Sequence, residues 1–230
     1  MIKVSVIVPV FNEALHVSKL LSHLRKVAHS PEEVEIIVVD GGSTDGTLNV
    51  LSAFPMIHVV GSEKGRAKQM NTGAQTAQGR ILYFLHCDTL PPLHFDQLLV
   101  EAVHKGHLAG CFRMKFDYWH PVLLVSQWFT RFNHISCRGG DQSLFVSKAL
   151  FKEIKGFDER FRIYEDNEII SRLYVQKQFV VLPATVVTSA RKYLQNGVWR
   201  LQYHFSIIHL KRRLGHSTES MLAYYRKKIQ

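Results

Sequence analysis

The stretch VSVIVPVFNE at residues 4–13 joins an almost continuous apolar run to an abrupt polar end. Such a run is typical of a strand that is buried on both faces of a parallel sheet. Apolar residues at helical spacing follow it. The pattern recurs, which predicts strands at 35–39, 57–60 and 81–85 and helices through 48–51 and 67–77. Alternating strands and helices at this spacing indicate right-handed βαβ units and a doubly wound sheet.

The second half of the chain is less regular. Its patterns predict strands at 109–116, 143–146 and 179–182 and helices at 121–132 and 165–174. We find no repeat, low-complexity segment or linker, and 230 residues suit one domain with a full core. We therefore expect a domain over residues 1–190, with residues 191–230 as a basic, helical extension of it.

The charge of the chain is concentrated at its end. Hydrophobic residues make up 46% and charged residues 21%, as in folded globular proteins, and the formal net charge is +10. Residues 191–230 hold nine Lys or Arg and a single acidic residue, Glu219, whereas the first 190 residues are nearly balanced. The sequence shows no aromatic-rich RNA-binding motif and no recognition helix. We expect no nucleic-acid partner.

The three cysteines, Cys87, Cys111 and Cys137, are widely spaced and form no CxxC pair. This argues against a disulfide framework and a structural zinc site, and it fits a reducing cytosol. The first residues already read as a strand rather than a cleavable signal, and no apolar run approaches the roughly 20 residues that span a bilayer. We expect a cytoplasmic protein and leave open a peripheral contact with the inner face of the cell membrane.

Polar residues recur where the predicted strands end. Asn12 and Glu13 follow the first strand, Asp40 the second, and Asp88 the strand at 81–85. Each alone is more often a turn or cap residue than a functional one. Ligands of open parallel sheets bind beyond the carboxyl ends of the strands. The repetition therefore predicts a binding crevice at this edge.

Four blocks of the sequence resemble glycosyltransferase family 2. They are VSVIVPVFNE at 4–13, EIIVVDGGSTDGT at 35–47, the block at 65–89 that ends in LHCDT, and GFDERFRIYEDNEIISRL at 156–173. The resemblance implies an inverting enzyme that uses a nucleotide-sugar donor. It also implies the GT-A fold, an α/β architecture with a mostly parallel central sheet flanked by helices, here with a basic C-terminal helical segment. LHCDT, the GDQ at 140–142 and TSARKY at 188–193 are similar to the subgroup linked to arsenosugar biosynthesis.

The resemblance implies residues for the donor and the metal. Asp40 would contact the base or ribose, and the other donor contacts would be Pro9, Phe11, Glu13, Arg66 and Arg191. Asp88 would hold a divalent cation, Mn²⁺ or Mg²⁺. The family usually has Asp-x-Asp where this chain has His86-Cys87-Asp88; His ligates Mn²⁺ but is a poor Mg²⁺ ligand. His86 is therefore either a ligand or a packing residue. Gly41 stands where many relatives carry a second Asp.

Glu165 and Asp166 match the family's catalytic acidic pair, with Asp166 as the general base that deprotonates the acceptor hydroxyl. The alternative is that these acids only complement a helix N-terminus. Asp141 and Gln142 would form the acceptor side of the site, although a plain turn fits them almost as well. The implied acceptor is a small molecule or a lipid-linked one.

A helical wheel over residues 198–214 places apolar residues in two stripes on roughly opposite sides. A helix of this kind needs two partners, of which one would be the core. The second partner stays open between another subunit in a homodimer, the helix at 121–132 and a membrane surface helped by the cations at 211–213. Complete burial within the monomer is a further alternative.

Two rival functions stay open besides glycosyl transfer. A sugar nucleotidyltransferase would need a glycine-rich loop with Arg or Lys after the first strand, where this chain has PVFNE. A binding module without turnover would explain His86 and Gly41, but the retained Asp88 and Asp166 favour an enzyme.

Overall fold

The computed structural model describes residues 1–229, which form eight strands and ten α-helices. The strands are β1 (Val4–Val10), β2 (Val34–Asp40), β3 (His58–Gly61), β4 (Ile81–Phe84), β5 (Thr89–Leu90), β6 (Ala109–Phe116), β7 (Leu144–Ser147) and β8 (Phe179–Thr188). The helices are α1 (Val17–Val27), α2 (Thr47–Leu51), α3 (Arg66–Thr76), α4 (Phe95–His104), α5 (Pro121–Phe129), α6 (Lys148–Glu153), α7 (Glu165–Val175), α8 (Arg191–Asn196), α9 (Val198–Arg213) and α10 (Thr218–Lys228).

All eight strands share one sheet, in the order β3-β2-β1-β4-β7-β6-β8-β5. Strand β1 is parallel to β2 and β4, β2 is parallel to β3, and β6 is parallel to β8. Strand β7 runs antiparallel to both of its neighbours, β4 and β6, and β5 is antiparallel to β8. The parallel βαβ pattern expected from the sequence therefore covers β1 to β4, and β7 inserts a reversed strand beyond it.

Strand β1 is apolar along its length because both faces of the sheet are covered. Val6 and Val8 belong to one buried cluster, which includes α1 and the inner face of α9. Ile7, between them, belongs to a second cluster, which includes residues of α3 and α7. Successive side chains of a strand point to opposite faces, so a strand between two helical layers needs apolar residues at nearly every position.

Strand β8 is longer than the pattern indicates. The sequence pattern predicts a strand that ends at Leu182, and the next residue, Pro183, lacks a backbone N–H. The structure continues the strand to Thr188, and the register with β6 shifts so that Phe112 pairs with Leu182 but the next residue, Arg113, pairs with Thr185. A local irregularity thus accommodates the proline without ending the strand.

The segment at the C-terminal end contains the helices α8, α9 and α10. Leu201 and Ile208 of α9 are buried in the same cluster as β1, which makes the core one partner of this helix. The opposite stripe of α9 is exposed at Trp199, Tyr203, Leu210 and Leu214. Complete burial of the helix within the monomer is therefore wrong. Among residues 1–229, no helix combines the length and apolar character needed to cross a membrane.

Candidate active site

The loops after β1 and β2 are tied together at the carboxyl edge of the sheet. The Asn12 side-chain oxygen accepts a hydrogen bond from the Thr44 N–H (2.8 Å), and the Asn12 N–H donates to the Ser43 hydroxyl oxygen (2.9 Å). The Glu13 N–H donates to the Thr47 hydroxyl oxygen at 2.9 Å. These side-chain bonds hold two loops, far apart in sequence, as one wall of a crevice.

Asp40 closes β2 with a buried carboxylate. Its Oδ2 accepts hydrogen bonds from the N–H groups of Gly42 and Ser43, both at 3.0 Å, which fixes the side chain against its own loop. Beside it, the Gln69 amide donates to the carbonyls of Val10 and Val39 at 2.8 Å each. A Cβ on Gly41 would lie 3.1 Å from the Gln69 amide, so a larger residue at position 41 would crowd this bridge.

Arg191 joins two of the predicted site carboxylates. Its guanidinium forms two bonds with Glu13, with Nη2 at 2.7 Å from Oε1 and Nη1 at 2.9 Å from Oε2. Its Nε lies 3.1 Å from Asp88 Oδ2. Arg191 begins α8, whereas Glu13 follows β1 and Asp88 follows β4. The extension thus contributes a residue to the crevice, and one fork of donors fixes both acids.

The two acids that begin α7 face two different basic side chains. Asp166 Oδ2 lies 3.4 Å from His86 Nε2, and both side chains are largely buried. Glu165 Oε1 is almost fully buried and lies 3.5 Å from Nη1 of the half-exposed Arg66. His86 therefore pairs with the predicted general base. Its role as a metal ligand stays a prediction.

Burial and charge shift the pKa values of this cluster in opposite directions. Burial, strengthened by the neighbouring Asp166 charge, raises the pKa of the Glu165 carboxyl. Burial also opposes the charged form of Asp166, but the hydrogen bond and charge of His86, with the charge of Arg66, hold its pKa below the usual range. Burial disfavours the imidazolium of His86, yet Asp166 outweighs this and raises its pKa. Asp166 is thus the stronger acid of the pair, since the two carboxyl pKa values are shifted in opposite directions.

The backbone of Gly140 packs directly against Asp166. A Cβ at position 140 would fall 2.0 Å from Asp166 Oδ2, whereas a Cβ at Gly139 would meet nothing within 4 Å. A cavity of about 10 Å³ lies beneath the carboxylate and is lined by His86 and Ser143 among others. That volume leaves room for about one water molecule at most. Asp166 is therefore confined on its inner side.

The predicted acceptor residues separate into one exposed and one buried side chain. Asp141 is exposed, whereas Gln142 is buried; its oxygen accepts from the Gly139 N–H at 3.1 Å and its Nε2 has no partner among the described residues. Pro9 lines the small cavity below Asp166. On the donor side, the Lys64 ammonium lies 3.6 Å from the centre of the Phe11 ring.

Three residues that border the crevice have left-handed backbones although they are not glycines. Their φ angles are 56° at Asn12, 64° at Ser143 and 70° at Tyr164. Such conformations carry strain and gather at functional sites. Tyr164 immediately precedes Glu165 and its hydroxyl lies 3.1 Å from Nδ1 of His209 in α9. The strained residue that positions the acidic pair is thus braced by the C-terminal extension.

The side chains that could bind a metal suit a cation that a substrate diphosphate also binds, rather than a cation held by protein ligands alone. The described residues contain no group of three His, Cys, Asp or Glu side chains placed to hold a metal. Asp88 offers one carboxylate, whose Oδ2 also contacts Arg191. Mg²⁺ commonly binds through one or two carboxylates together with substrate phosphates, so this donor set fits that mode.

Most of these residues are predicted from the sequence, but the contacts between their side chains are not. The contacts Glu13–Arg191–Asp88 and His86–Asp166 join positions far apart in the chain. Of the two glycines before Asp141, Gly140 is the one at which an added Cβ would meet a neighbour, and that neighbour is Asp166.

Comparison with known proteins identifies the family of the chain. The family model for glycosyl transferase family 2 matches residues 5–152. The poly(ribitol-phosphate) beta-N-acetylglucosaminyltransferase TarS of Staphylococcus aureus strain Mu50 is 31% identical over 155 residues, which cover 65% of this chain and 24% of TarS. Glycosyltransferase AglE of Haloferax volcanii is 34% identical over 94 residues, covering 38% of this chain and 31% of AglE. The chain thus spans about a quarter to a third of the length of these relatives.

Solved structures share the fold. S. aureus TarS 1–349 in complex with UDP superposes with a TM-score of 0.70 at 22% identity, covering 82% of this chain and 60% of that one. The mannosyltransferase PcManGT of Pyrobaculum calidifontis, in complex with GDP-Man and Mn²⁺, gives a TM-score of 0.69 at 21% identity and covers 94% of this chain and 65% of that one. The expected GT-A fold is confirmed. Since the family model matches well over half of its length, the chain belongs to glycosyl transferase family 2.

Proposed function

We propose that this chain transfers a sugar from a nucleotide-diphosphate donor to an acceptor hydroxyl, with inversion at the anomeric carbon. One observation carries the proposal: a confined, ionised Asp166 shares a crevice with carboxylates placed for a donor. The ligands named for the structural neighbours, UDP and UDP-GlcNAc for TarS and GDP-Man with Mn²⁺ for PcManGT, support a donor of this class.

The donor side of the crevice is formed by the tied loops. Asp40, held rigidly by its loop, accepts hydrogen bonds from the base or ribose, and Phe11 and Pro9 line the same side. Arg191 presents its guanidinium to the diphosphate and keeps Glu13 and Asp88 in place. A rigid wall of this kind orients the donor at little entropic cost.

Asp88 is the residue we assign to the divalent cation, with the donor's phosphate oxygens as the other ligands. When bound, the cation neutralises charge on the leaving diphosphate. His86 Nε2 lies 3.4 Å from Asp166 Oδ2, so we assign His86 an orienting role.

Asp166 accepts the proton of the attacking hydroxyl. The acceptor oxygen forms a bond to the anomeric carbon, the bond from that carbon to the diphosphate oxygen breaks, and the acceptor proton moves to Asp166. A single displacement inverts the configuration and needs no nucleophilic side chain. Gly140 and His86 restrict the carboxylate to one orientation, and Glu165 holds Arg66 beside it.

The acceptor approaches from the side of Asp141 and Gln142, and we propose a small molecule or a lipid-linked one. The undecaprenyl-phosphate 4-deoxy-4-formamido-L-arabinose transferase of Proteus mirabilis is 23% identical over 96% of this chain, which supports the second class. The forms LHCDT, GDQ and TSARKY support the finer placement in the arsenosugar-linked subgroup. We retain residues 1–190 as the transferase domain and residues 191–230 as its extension.

A thermal-shift screen tests the proposal directly. The full chain is heated with UDP-, GDP- and dTDP-sugars in the presence of Mn²⁺ or Mg²⁺. We expect at least one donor class to raise the melting temperature, with a larger shift when the cation is present. Failure of every nucleotide to stabilise the protein would overturn the proposal. Stabilisation without any release of nucleoside diphosphate, with a range of acceptors present, would indicate a binding module instead.

A further inference from the structure

The outer face of α5 is apolar and exposed. Helix α5, PVLLVSQWF, contains no charged residue, and its Leu123 points into the core. Five apolar residues on the opposite side are 38–59% exposed. We call this surface the aromatic face; it consists of Leu124, Val125, Trp128, Phe129 and Phe132. Contiguous exposed apolar surface of this kind marks an interaction site in soluble proteins.

Aromatic rings dominate this face and pack on one another. The Trp128 centroid lies 5.3 Å from that of Phe129 and 4.9 Å from that of Phe132. The Arg131 guanidinium lies 5.0 Å from the centre of the Trp128 ring. The cluster is therefore a preformed surface rather than a set of independent side chains, and it carries a cation at its rim.

All three tryptophans of the chain are exposed on or beside this surface. Trp128 is 46% exposed, and Trp119 and Trp199 are 72% and 73% exposed. Trp199 adjoins α5 through His120, with ring centroids 6.3 Å apart. Tryptophan is usually well buried in folded proteins, and its amphipathic ring favours the boundary between lipid and water. The residue type thus points to a lipid interface.

The charge around the face fits anionic lipid. No acidic residue lies between Asp117 and Asp141, and the stretch from Arg191 to Arg213 contains six cations and no acid. Anionic headgroups attract such a surface, whereas a second copy of the chain would bring like charges together. Lys211 and Arg212 lie over the rings of Tyr224 and Phe161. The basic cluster at 211–213 is therefore less suited to be the main anchor than the aromatic face.

We propose that the aromatic face, with Trp119 and Trp199, docks on the surface of an anionic bilayer and inserts to the depth of the headgroups. The face is linked to the candidate active site by Arg138, whose guanidinium donates to the carbonyls of Thr130 (2.7 Å) and Phe132 (2.6 Å) just before the loop that contains Gly140. Lipid docking does not depend on glycosyl transfer. Delivery of a membrane-borne acceptor to that loop is a consequence that rests on the proposed function.

Tryptophan fluorescence tests the docking, since every tryptophan lies on or beside the proposed surface. The full chain is titrated with vesicles of phosphatidylcholine alone and of phosphatidylcholine mixed equally with phosphatidylglycerol. With the anionic vesicles we expect emission to move to shorter wavelength, brominated acyl chains to quench it, and the protein to sediment with the lipid. The double variant W128S/F129S should lower the vesicle affinity by at least about tenfold, because two large apolar side chains no longer enter the interface.

A matched control and a gentler variant keep the test decisive. Leu48 in α2 and Met56, just before β3, are also exposed but lie outside the aromatic face, so L48S/M56S should bind vesicles like wild type. Val125→Glu places one carboxylate on the exposed face and should also weaken binding. Unchanged emission and no sedimentation with either vesicle would overturn the proposal. If sedimentation velocity shows a dimer, and the tryptophan emission of that dimer is shifted without lipid, the face binds a second copy of the chain. That result would overturn the proposal as well.

Discussion

The backbone of Gly140 lies so close to Asp166 that a single methyl group at position 140 would fall 2.0 Å from the carboxylate oxygen. Asp166 thus has its position set by a loop that precedes it by more than twenty residues, and by His86, whose Nε2 lies 3.4 Å from the same oxygen. A general base that must meet an acceptor proton benefits from such confinement.

Gly140→Ala should lower kcat by about a hundredfold, because the new methyl group displaces either the Asp166 carboxylate or the loop that faces the acceptor. Donor binding should change little, since the donor wall is formed by other loops. The measurement is steady-state release of nucleoside diphosphate, with donor binding followed by thermal shift.

The neighbouring glycine provides the control for that variant. A methyl group on Gly139 would meet nothing within 4 Å, and its backbone is extended, so Gly139→Ala should retain wild-type turnover. Equal losses for both variants would show that the loop tolerates no change at all, and the specific role of the Gly140 contact would be refuted.

Arg191→Ala should raise KM for the nucleotide-sugar by about tenfold or more. The change removes the guanidinium that we assign to the diphosphate, and it leaves Glu13 and Asp88 without their common partner. Arg191→Lys should restore only part of the loss, since a single ammonium does not reproduce the fork. The adjacent Lys192→Ala is the control and should leave KM unchanged. A normal KM for Arg191→Ala would contradict the assigned role.

Glu165→Gln should raise the melting temperature near pH 8 while it lowers activity. The pKa of Glu165 is raised in the folded state, so its ionised form costs stability above the unfolded pKa of about 4.5. The cost grows as the pH rises through the folded pKa, and the advantage of the Gln variant should therefore shrink as the pH falls towards 4.5. Differential scanning calorimetry between pH 4.5 and 8 checks this sign.

Glu168→Gln is the contrasting variant on the same helix. Glu168 accepts two bonds from Arg172, at 2.8 and 2.6 Å, and Arg172 also donates to the carbonyl of Gly156. Loss of this charged pair should lower the melting temperature. If both variants shifted it in the same direction, the difference in environment inferred for the two acids would be wrong.

The sequence predicts the local parts of this fold well. The expected strand at 109–116 coincides with β6, and the apolar run at residues 4–10 coincides with β1, because burial on both faces leaves a continuous apolar signal. The sequence pattern predicts only the part of β8 that precedes Pro183. The pairing of β8 with β6 shows that a register shift accommodates the proline. The intrinsic strand preference of each residue carries no information about such a pairing.

The candidate active site shows the same contrast between features that local sequence determines and features that depend on distant residues. Asp40 and Asp88 could be located from the sequence, since each lies at or shortly after the end of a recognisable strand. The pairing of Asp88 with Arg191 could not be predicted, because the two residues are far apart in the chain and no local rule governs their contact. The resemblance leaves His86 open between a metal ligand and a packing residue, and the structure places its Nε2 3.4 Å from Asp166 Oδ2.

The central claim is that Asp166 takes the acceptor proton in a glycosyl transfer reaction. The most direct measurement compares Asp166→Asn with wild type for two quantities: donor binding by thermal shift, and nucleoside diphosphate release in the presence of acceptor. We predict that binding is retained and that turnover falls by about a hundredfold or more, because the amide accepts no proton. Retained turnover in a folded Asp166→Asn protein would contradict the account.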